Sequence, residues 1–190
     1  MALRESRVQS KRLVGSARSS HWHSLGKALK PPAQLRPWLL AQGSLTLRLQ
    51  QHYGPIQVRV IRQALAQPYA DEGSGRSPLA IVRAVILSTD NQKPLVVAHS
   101  VLPALPRGAL SVMFKRLGRQ ALGSLLFTRR GFVRSQREWA FLDHRHPLYR
   151  TAKKQMGVST PARLWARRAV FTHLRNPGQS VQVTEVFCLR

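Results

Sequence analysis

Six separate stretches of the chain after residue 30 have apolar residues at every second position over part or all of their length. Alternation with a period of two is typical of a half-buried strand, because successive side chains point to opposite faces of a sheet. The stretches with this pattern are PIQVRVIRQAL, LAIVRAVILS, LVVAHSVLP, FVRSQREWAFL, RLWARRAVFTHL and SVQVTEVFCLR. Polar turn sequences, TDNQKP and NPGQ, separate two neighbouring pairs of them. The pattern therefore predicts six strands, with hairpins at these two turns.

Short blocks with helical spacing lie between the predicted strands. The block PAQLRPWLLAQGSLTLRLQQHYG predicts two short helices, with Gly43 as the stop of the first and Ser44 as the N-cap of the second. Two further blocks, GALSVMFKRLG and QALGSLLFTRRG, end at Gly118 and Gly131, as helices commonly end at glycine. The basic connector 143–162 also has some helical character. Helices between hairpin-paired strands favour an α+β fold around an antiparallel sheet.

Residues 1–30 differ in composition from the rest of the chain. They are polar, serine-rich and basic, so we expect a flexible N-terminal tail followed by a single domain over residues 31–190. This segment lacks the apolar run of a secretory signal, and no stretch of the chain approaches the ~20 apolar residues of a membrane span. The lone cysteine, Cys188, excludes an intramolecular disulfide and fits a reducing compartment. We therefore expect a cytoplasmic protein.

The chain is strongly basic, with 31 Lys and Arg against 7 Asp and Glu and a formal charge of +24. Such a charge attracts polyanions such as nucleic acid. The basic residues are spread along the whole chain, however, and no nucleic-acid-binding motif accompanies them, so a small anionic substrate is equally compatible. The histidines of HWH (His21, His23) and DHRH (His144, His146) lack a matched third metal ligand, and we interpret them as solvated loop residues.

Two charged residues interrupt otherwise apolar rows of the predicted strands. Arg83 is the sole charge among the odd-numbered positions of LAIVRAVILS, and Glu185 is the sole charge among those of SVQVTEVFCLR. A buried charge without a partner is strongly unfavourable, so each residue needs one. Either the two side chains pair with each other or reach water at a sheet end, or they flank a cavity. In a cavity, the ligand would supply an anion for Arg83 and a hydroxyl for Glu185.

Four segments of the chain, in order and with plausible spacing, resemble the chorismate pyruvate-lyase family. They are PWLLAQGSLTLRLQQ, IVRAVILSTDNQKPLVVAHSVLP, LGRQALGSLLFT and LWARRAVFTHLRNPGQSVQVTEVFCL. The resemblance implies an α+β fold with a six-stranded antiparallel sheet, short helices on one side and an enclosed ligand pocket. It also implies conversion of chorismate to 4-hydroxybenzoate and pyruvate, the entry step to ubiquinone biosynthesis, with no cofactor and no metal.

The same resemblance implies roles for four residues. The family's arginine for the ring carboxylate falls on Arg83 and its glutamate for the ring hydroxyl falls on Glu185, so both are candidate catalytic and substrate-binding residues. The family also contacts its ligand through the backbone amides of two apolar residues, and these positions fall on Leu45 and Leu122. Periodicity alone favours a core position for both leucines. His99 stands where an arginine is common in the family.

A non-catalytic binding module is the alternative function. Effector-binding domains of some bacterial regulators resemble the same fold, and one arginine with one glutamate would suit an effector as well as a substrate. Those regulators carry an N-terminal winged-helix domain, whereas only about 30 residues precede the first predicted helix here, which disfavours a regulator. The expected partners of an enzyme are chorismate and 4-hydroxybenzoate, and we expect no specific nucleic acid, no membrane span and a monomer.

Overall fold

One antiparallel sheet forms the centre of the computed structural model, which describes residues 22–24, 31–72, 79–103, 109–128, 131–135 and 137–189. Within these ranges its eight strands run in the order β1-β6-β7-β8-β4-β3-β2, and β5 also pairs with β7. The strands are β1 (His23–Ser24), β2 (Ile56–Ala66), β3 (Ala80–Thr89), β4 (Pro94–Pro103), β5 (Phe132–Arg134), β6 (Glu138–Leu142), β7 (Leu164–His173) and β8 (Asn176–Phe187).

Short helices connect and cover the strands. The α-helices of the described ranges are α1 (Arg36–Leu39), α2 (Leu45–Tyr53), α3 (Ala109–Arg116), α4 (Leu122–Thr128) and α5 (Pro147–Met156). Ser44 caps α2 as predicted, since its Oγ accepts a hydrogen bond from the Leu47 amide. Gly118 and Gly131, which follow α3 and α4, have φ angles of 51° and 107°, a region that favours glycine. None of these helices is long and apolar enough to cross a membrane.

The α+β class and the antiparallel sheet are confirmed, but the strand count differs from the predicted six. The predicted strand FVRSQREWAFL is divided into β5 and β6, which both pair with β7. The pairing with β7 shifts by one residue between them, since Arg134 pairs with Phe171 but Glu138 pairs with Arg168. The Ser135 amide donates to the Val170 carbonyl, and the buried Arg137 donates through Nη1 to the carbonyls of Leu39 and Ala41. The second added strand, β1, lies within the segment predicted to be a tail.

Helices lie on both sides of the sheet, whereas short helices on one side were predicted. Odd-numbered residues of β3 pack beneath α1 to α4, and Ile86, an even-numbered one, shares a buried cluster with Leu148 and Ala152 of α5. Strands buried on both faces have nearly continuous apolar sequences, as LAIVRAVILS does. The helical character predicted for the connector 143–162 is confirmed by α5, whose narrow apolar face packs on the sheet while basic residues such as Lys153 and Lys154 are exposed.

A buried polar cluster lies on the α5 side of the sheet. The carboxylate of Glu72 is 2.6 Å from Nδ1 of His99, and both side chains are almost completely buried. The adjacent Asp71 accepts a hydrogen bond from Trp22 Nε1 and lies 3.2 Å from Nε2 of His146. His146 is therefore a buried N-cap of α5, and the prediction of a solvated loop residue was wrong. These contacts hold the segment after β2 that contains Asp71 and Glu72 against the sheet, and they hold Trp22 there as well.

The contact between Glu72 and His99 should contribute strongly to stability. We expect Glu72→Gln to lower the free energy of unfolding by about 3–5 kcal/mol, because it leaves His99 buried without its charged partner. Asp90→Asn removes an exposed carboxylate and is the matched control, with an expected change below about 0.5 kcal/mol. Urea unfolding followed by circular dichroism measures both variants. Equal, small losses in the two would show that the buried contact is not stabilising.

Candidate active site

A cavity lies between the sheet and helices α2 and α4. Its apolar lining includes Leu45, Ala98, Ala121, Leu122, Phe127 and Val183. Five charged residues whose side chains lie on this face also line it: Arg83, Arg134, Arg137, Arg167 and Glu185. The cavity volume is about 40 Å³, which accommodates a few water molecules. A larger ligand therefore enters only if the side chains or helices that cover the cavity move.

Arg83 projects from the middle of β3 into this cavity and is 2% exposed. Its Nη1 donates to Oε1 of Gln63, the residue directly opposite in β2. Its Nη2 donates to the carbonyls of Gly118 and Gln120, at 2.7 and 3.1 Å, in the connection between α3 and α4. Burial lowers the pKa of the guanidinium. None of the ion pairs among the described residues includes Arg83, so its charge is available to an anionic ligand.

Glu185 has a charged partner, but that partner is not Arg83. Arg167 stands opposite Glu185 in the pairing of β7 with β8, and its Nε donates to Oε2 of Glu185 at 2.5 Å. The strand registers place Arg83 two strands away from Glu185 and two residues further along. This offset corresponds to about 12 Å between their Cα atoms. The two inward charges found in the sequence therefore line one cavity without pairing with each other.

The alternating pattern did not indicate three of the arginines on the cavity face of the sheet: Arg134, Arg137 and Arg167. Arg167 could have been found, because it shares the odd-numbered row of β7 with Trp165 and Ala169, just as Arg83 interrupts an apolar row of β3. Arg134 and Arg137 carry no such signal. The pairing with β7 shifts by one residue between β5 and β6, so odd and even residue numbers no longer indicate the same faces on both sides of the shift.

The clustered arginines destabilise one another's charge. Burial, together with Arg134 and Arg167, lowers the pKa of Arg137 to about 10, and Glu185 acts in the opposite direction. Burial and Arg167 also lower the pKa of Arg134, again against the effect of Glu185. The Glu185 carboxylate is thus the charge that partly neutralises this group of cations.

Leu45 and Leu122 also lie at the cavity, each as the first residue of a helix. Both side chains are buried, at 3% and 5% exposure, in agreement with the core position that periodicity favours. First-turn amides have no partner within their own helix, but contact with a ligand through these two amides stays a prediction. His99 faces the opposite side of the sheet, where it contacts Glu72. It therefore contributes nothing to the cavity in place of the family's arginine.

The cavity is suited to a small anionic molecule with a flat apolar body. Arginine binds a carboxylate through two parallel hydrogen bonds, and an ionised glutamate accepts a hydrogen bond from a hydroxyl. In the described part of the chain, no three side chains of His, Cys, Asp or Glu lie together as a metal site requires. Fold and cavity together define an α+β protein with an interior cavity that is lined by several arginines and one glutamate.

Comparison with known proteins identifies the family. The family model described as chorismate lyase matches residues 18–189. A probable chorismate pyruvate-lyase of Dechloromonas aromatica (strain RCB) is 41% identical over 156 residues, which cover 80% of this chain and 85% of the relative. Another from Aromatoleum aromaticum is 37% identical over 174 residues, which cover 89% and 92%. This chain belongs to the chorismate lyase family.

Among solved structures, a gene product of Staphylococcus aureus subsp. aureus N315 is a distant likeness. It is 11% identical, with a TM-score of 0.47, and the match covers 73% of this chain and 85% of that one. A similarity this weak supports no inference about the site.

Loss of the Glu185 charge should affect the protein even without ligand. We expect Glu185→Gln to lower the free energy of unfolding by about 1–3 kcal/mol, because Arg167 loses a charge-assisted hydrogen bond within a group of cations. Glu138→Gln is the matched control, because Glu138 pairs with Arg168 at a partly exposed position, where we expect a loss below about 1 kcal/mol. Urea unfolding compares the two. A larger loss in the control would contradict a stabilising role for Glu185.

Proposed function

We propose that the protein is a chorismate pyruvate-lyase, which converts chorismate to 4-hydroxybenzoate and pyruvate at the entry to ubiquinone biosynthesis. One observation carries the proposal. Arg83 and Glu185, which resemble the family's carboxylate-binding and hydroxyl-binding residues, line the same cavity and are not partners of each other. The relatives with the family's name, at 41% and 37% identity, support the same activity.

The substrate ring lies between these two residues. Chorismate carries its ring carboxylate and its hydroxyl on opposite ring carbons, so the ring spans the gap between two side chains whose Cα atoms are about 12 Å apart. Arg83 binds the ring carboxylate through its planar guanidinium, and Glu185 accepts the hydrogen bond of the hydroxyl. Apolar lining residues such as Val183 and Leu122 pack against the ring. The ring is thereby held at both ends and along its faces.

The reaction breaks the ether bond between the ring and the enolpyruvyl group and removes a proton from the hydroxyl-bearing carbon. The electrons of that C–H bond form the last double bond of the aromatic ring. The ether oxygen leaves as enolpyruvate, which takes up a proton at its methylene carbon and becomes pyruvate. Since aromatisation drives this step, the protein has mainly to bind, orient and desolvate the substrate. Glu185 orients the hydroxyl and is placed to assist the proton transfer.

We infer further that the reaction requires no cofactor and no metal. The elimination involves no net oxidation or reduction, and the arginines supply positive charge for an anionic substrate and leaving group. We also expect a monomer, because all residues with a proposed role belong to one cavity of one chain. We expect it in the cytoplasm, because a lone cysteine fits a reducing compartment.

Turnover of chorismate is the direct test of this function. The purified protein in EDTA should convert chorismate to 4-hydroxybenzoate and pyruvate in equal amounts, as measured by chromatography and by a coupled pyruvate assay. Chorismate alone gives the spontaneous background. If the protein binds 4-hydroxybenzoate but does not convert chorismate faster than that background, the lyase function is wrong and the non-catalytic binding module is favoured.

Arg83 should be required for binding of both substrate and product. We expect Arg83→Lys to weaken 4-hydroxybenzoate binding by about 2–5 kcal/mol, because lysine retains the charge but not the bidentate geometry. The matched control is Arg62→Lys on β2, where the arginine is exposed to solvent. Isothermal titration calorimetry measures the affinities, and circular dichroism reports folding. Unchanged affinity in a folded Arg83→Lys protein would remove Arg83 from the site.

A further inference from the structure

Arg134 and Arg137 line the cavity, but the arrangement above gives them no role. Neither forms an ion pair with a described residue. Arg137 uses Nη1 for the carbonyls of Leu39 and Ala41, and Arg134 uses Nη2 for the side chain of Gln42. The other guanidinium nitrogens of both residues make no hydrogen bond to the described part of the chain. Each arginine therefore retains donors for a ligand.

Both arginines lie near Glu185. Arg167, which donates to Glu185, shares the carbonyls of Leu39 and Ala41 with Arg137, so these two guanidinium groups lie side by side. The charges of Arg167 and Glu185 act on the pKa of Arg134, and those of Arg134, Arg167 and Glu185 act on the pKa of Arg137, so these side chains lie close together. Arg83, by contrast, is bonded to β2 and to the connection between α3 and α4. On this face of the sheet the cavity thus has one separate cation, Arg83, and a cluster of three arginines near Glu185: Arg134, Arg137 and Arg167.

The chemistry of chorismate gives this cluster a ligand. The enolpyruvyl ether is attached to the ring carbon next to the one that bears the hydroxyl. If the ring carboxylate is on Arg83 and the hydroxyl is on Glu185, as the proposed function requires, the ether and its carboxylate extend into the space around Glu185. A carboxylate buried there without a cation would be strongly unfavourable.

We propose that Arg134 and Arg137 bind the enolpyruvyl carboxylate of chorismate, with Arg167 as a positioning residue that holds Glu185 beside them. The protein then recognises the two carboxylates of the substrate at separate places. The product 4-hydroxybenzoate has only the ring carboxylate, so it contacts Arg83 but not the pair. Arg134 and Arg137 thereby distinguish substrate from product, and they stabilise negative charge on enolpyruvate as the ether bond breaks.

The electrostatics of the protein without an anion support this assignment. Burial and repulsion from neighbouring arginines, Arg167 for both residues and also Arg134 for Arg137, lower the pKa values of Arg134 and Arg137. The folded protein therefore opposes their charge. A carboxylate between them removes this repulsion, whereas a monoanion on Arg83 leaves it in place. The arrangement of Arg134, Arg137 and Arg167 therefore favours binding of a second carboxylate.

The test compares substrate with product in Arg137→Gln and Arg134→Gln. We expect each variant to lower kcat/KM for chorismate by about 10- to 100-fold, the effect of losing a hydrogen bond between charged groups. The dissociation constant of 4-hydroxybenzoate, measured by calorimetry, should change less than about threefold, because its carboxylate binds elsewhere. Arg137→Lys retains the positive charge and should recover part of the loss. Arg163→Gln, at an exposed arginine, controls for the change in net charge.

Binding of 4-hydroxybenzoate also reports that each variant is folded with an intact Arg83 site. Parallel losses for substrate and product, or no loss for either, would overturn the assignment of the second carboxylate site. If the unmodified protein does not turn over chorismate, the proposed function fails by itself. The comparison is then made with calorimetric affinities for chorismate and 4-hydroxybenzoate, and selective loss of chorismate binding in the two variants would still support the site.

Discussion

The ion pair between Arg167 and Glu185 connects the fold to the site. It joins β7 to β8 at paired positions, and Nη1 of Arg167 also donates to the carbonyl of Trp38 at 2.7 Å. Trp38 lies in the single turn of α1, and its carbonyl also accepts a 3.4 Å backbone hydrogen bond from Ala41. One guanidinium therefore holds two strands and a helix end together. The position of α1, which supplies acceptors to Arg137 as well, depends on this contact.

Acidic residues are distributed unequally between the two faces of the sheet. On the α5 side Asp71, Glu72 and Glu138 each contact a histidine or an arginine. On the cavity side Glu185 is the one carboxylate among the described lining residues, and it faces several arginines. The first face is electrostatically paired and contributes to stability. The second face carries an excess of positive charge, and the lowered pKa values of Arg134 and Arg137 show that these charges are unfavourable in the folded protein.

Local patterns predicted the strands well because alternation is a property of an extended chain and its immediate neighbours. All six alternating stretches form strands. The division between β5 and β6 was missed because it depends on where each part pairs with β7. The short β1 was missed because two residues are too few for a periodic pattern, and it exists through pairing with β6. The side on which α5 packs likewise follows from the burial of both sheet faces.

By itself the sequence determined that Arg83 and Glu185 point to the same face of the sheet as the apolar residues two positions away in their strands. Successive side chains of a strand point to opposite faces, so every second residue shares a face. It also contained the same information for Arg167. Only the tertiary structure decided that Glu185 pairs with Arg167 and that Arg83 lies two strands away. The inward position of Arg137 was decided there too, because it depends on the register shift between β5 and β6 and on the carbonyl of Ala41, 96 residues away in the chain. The sheet face to which a side chain points follows from local strand geometry. Its interaction partner depends on contacts between distant segments of the chain, which the alternation within one strand does not indicate.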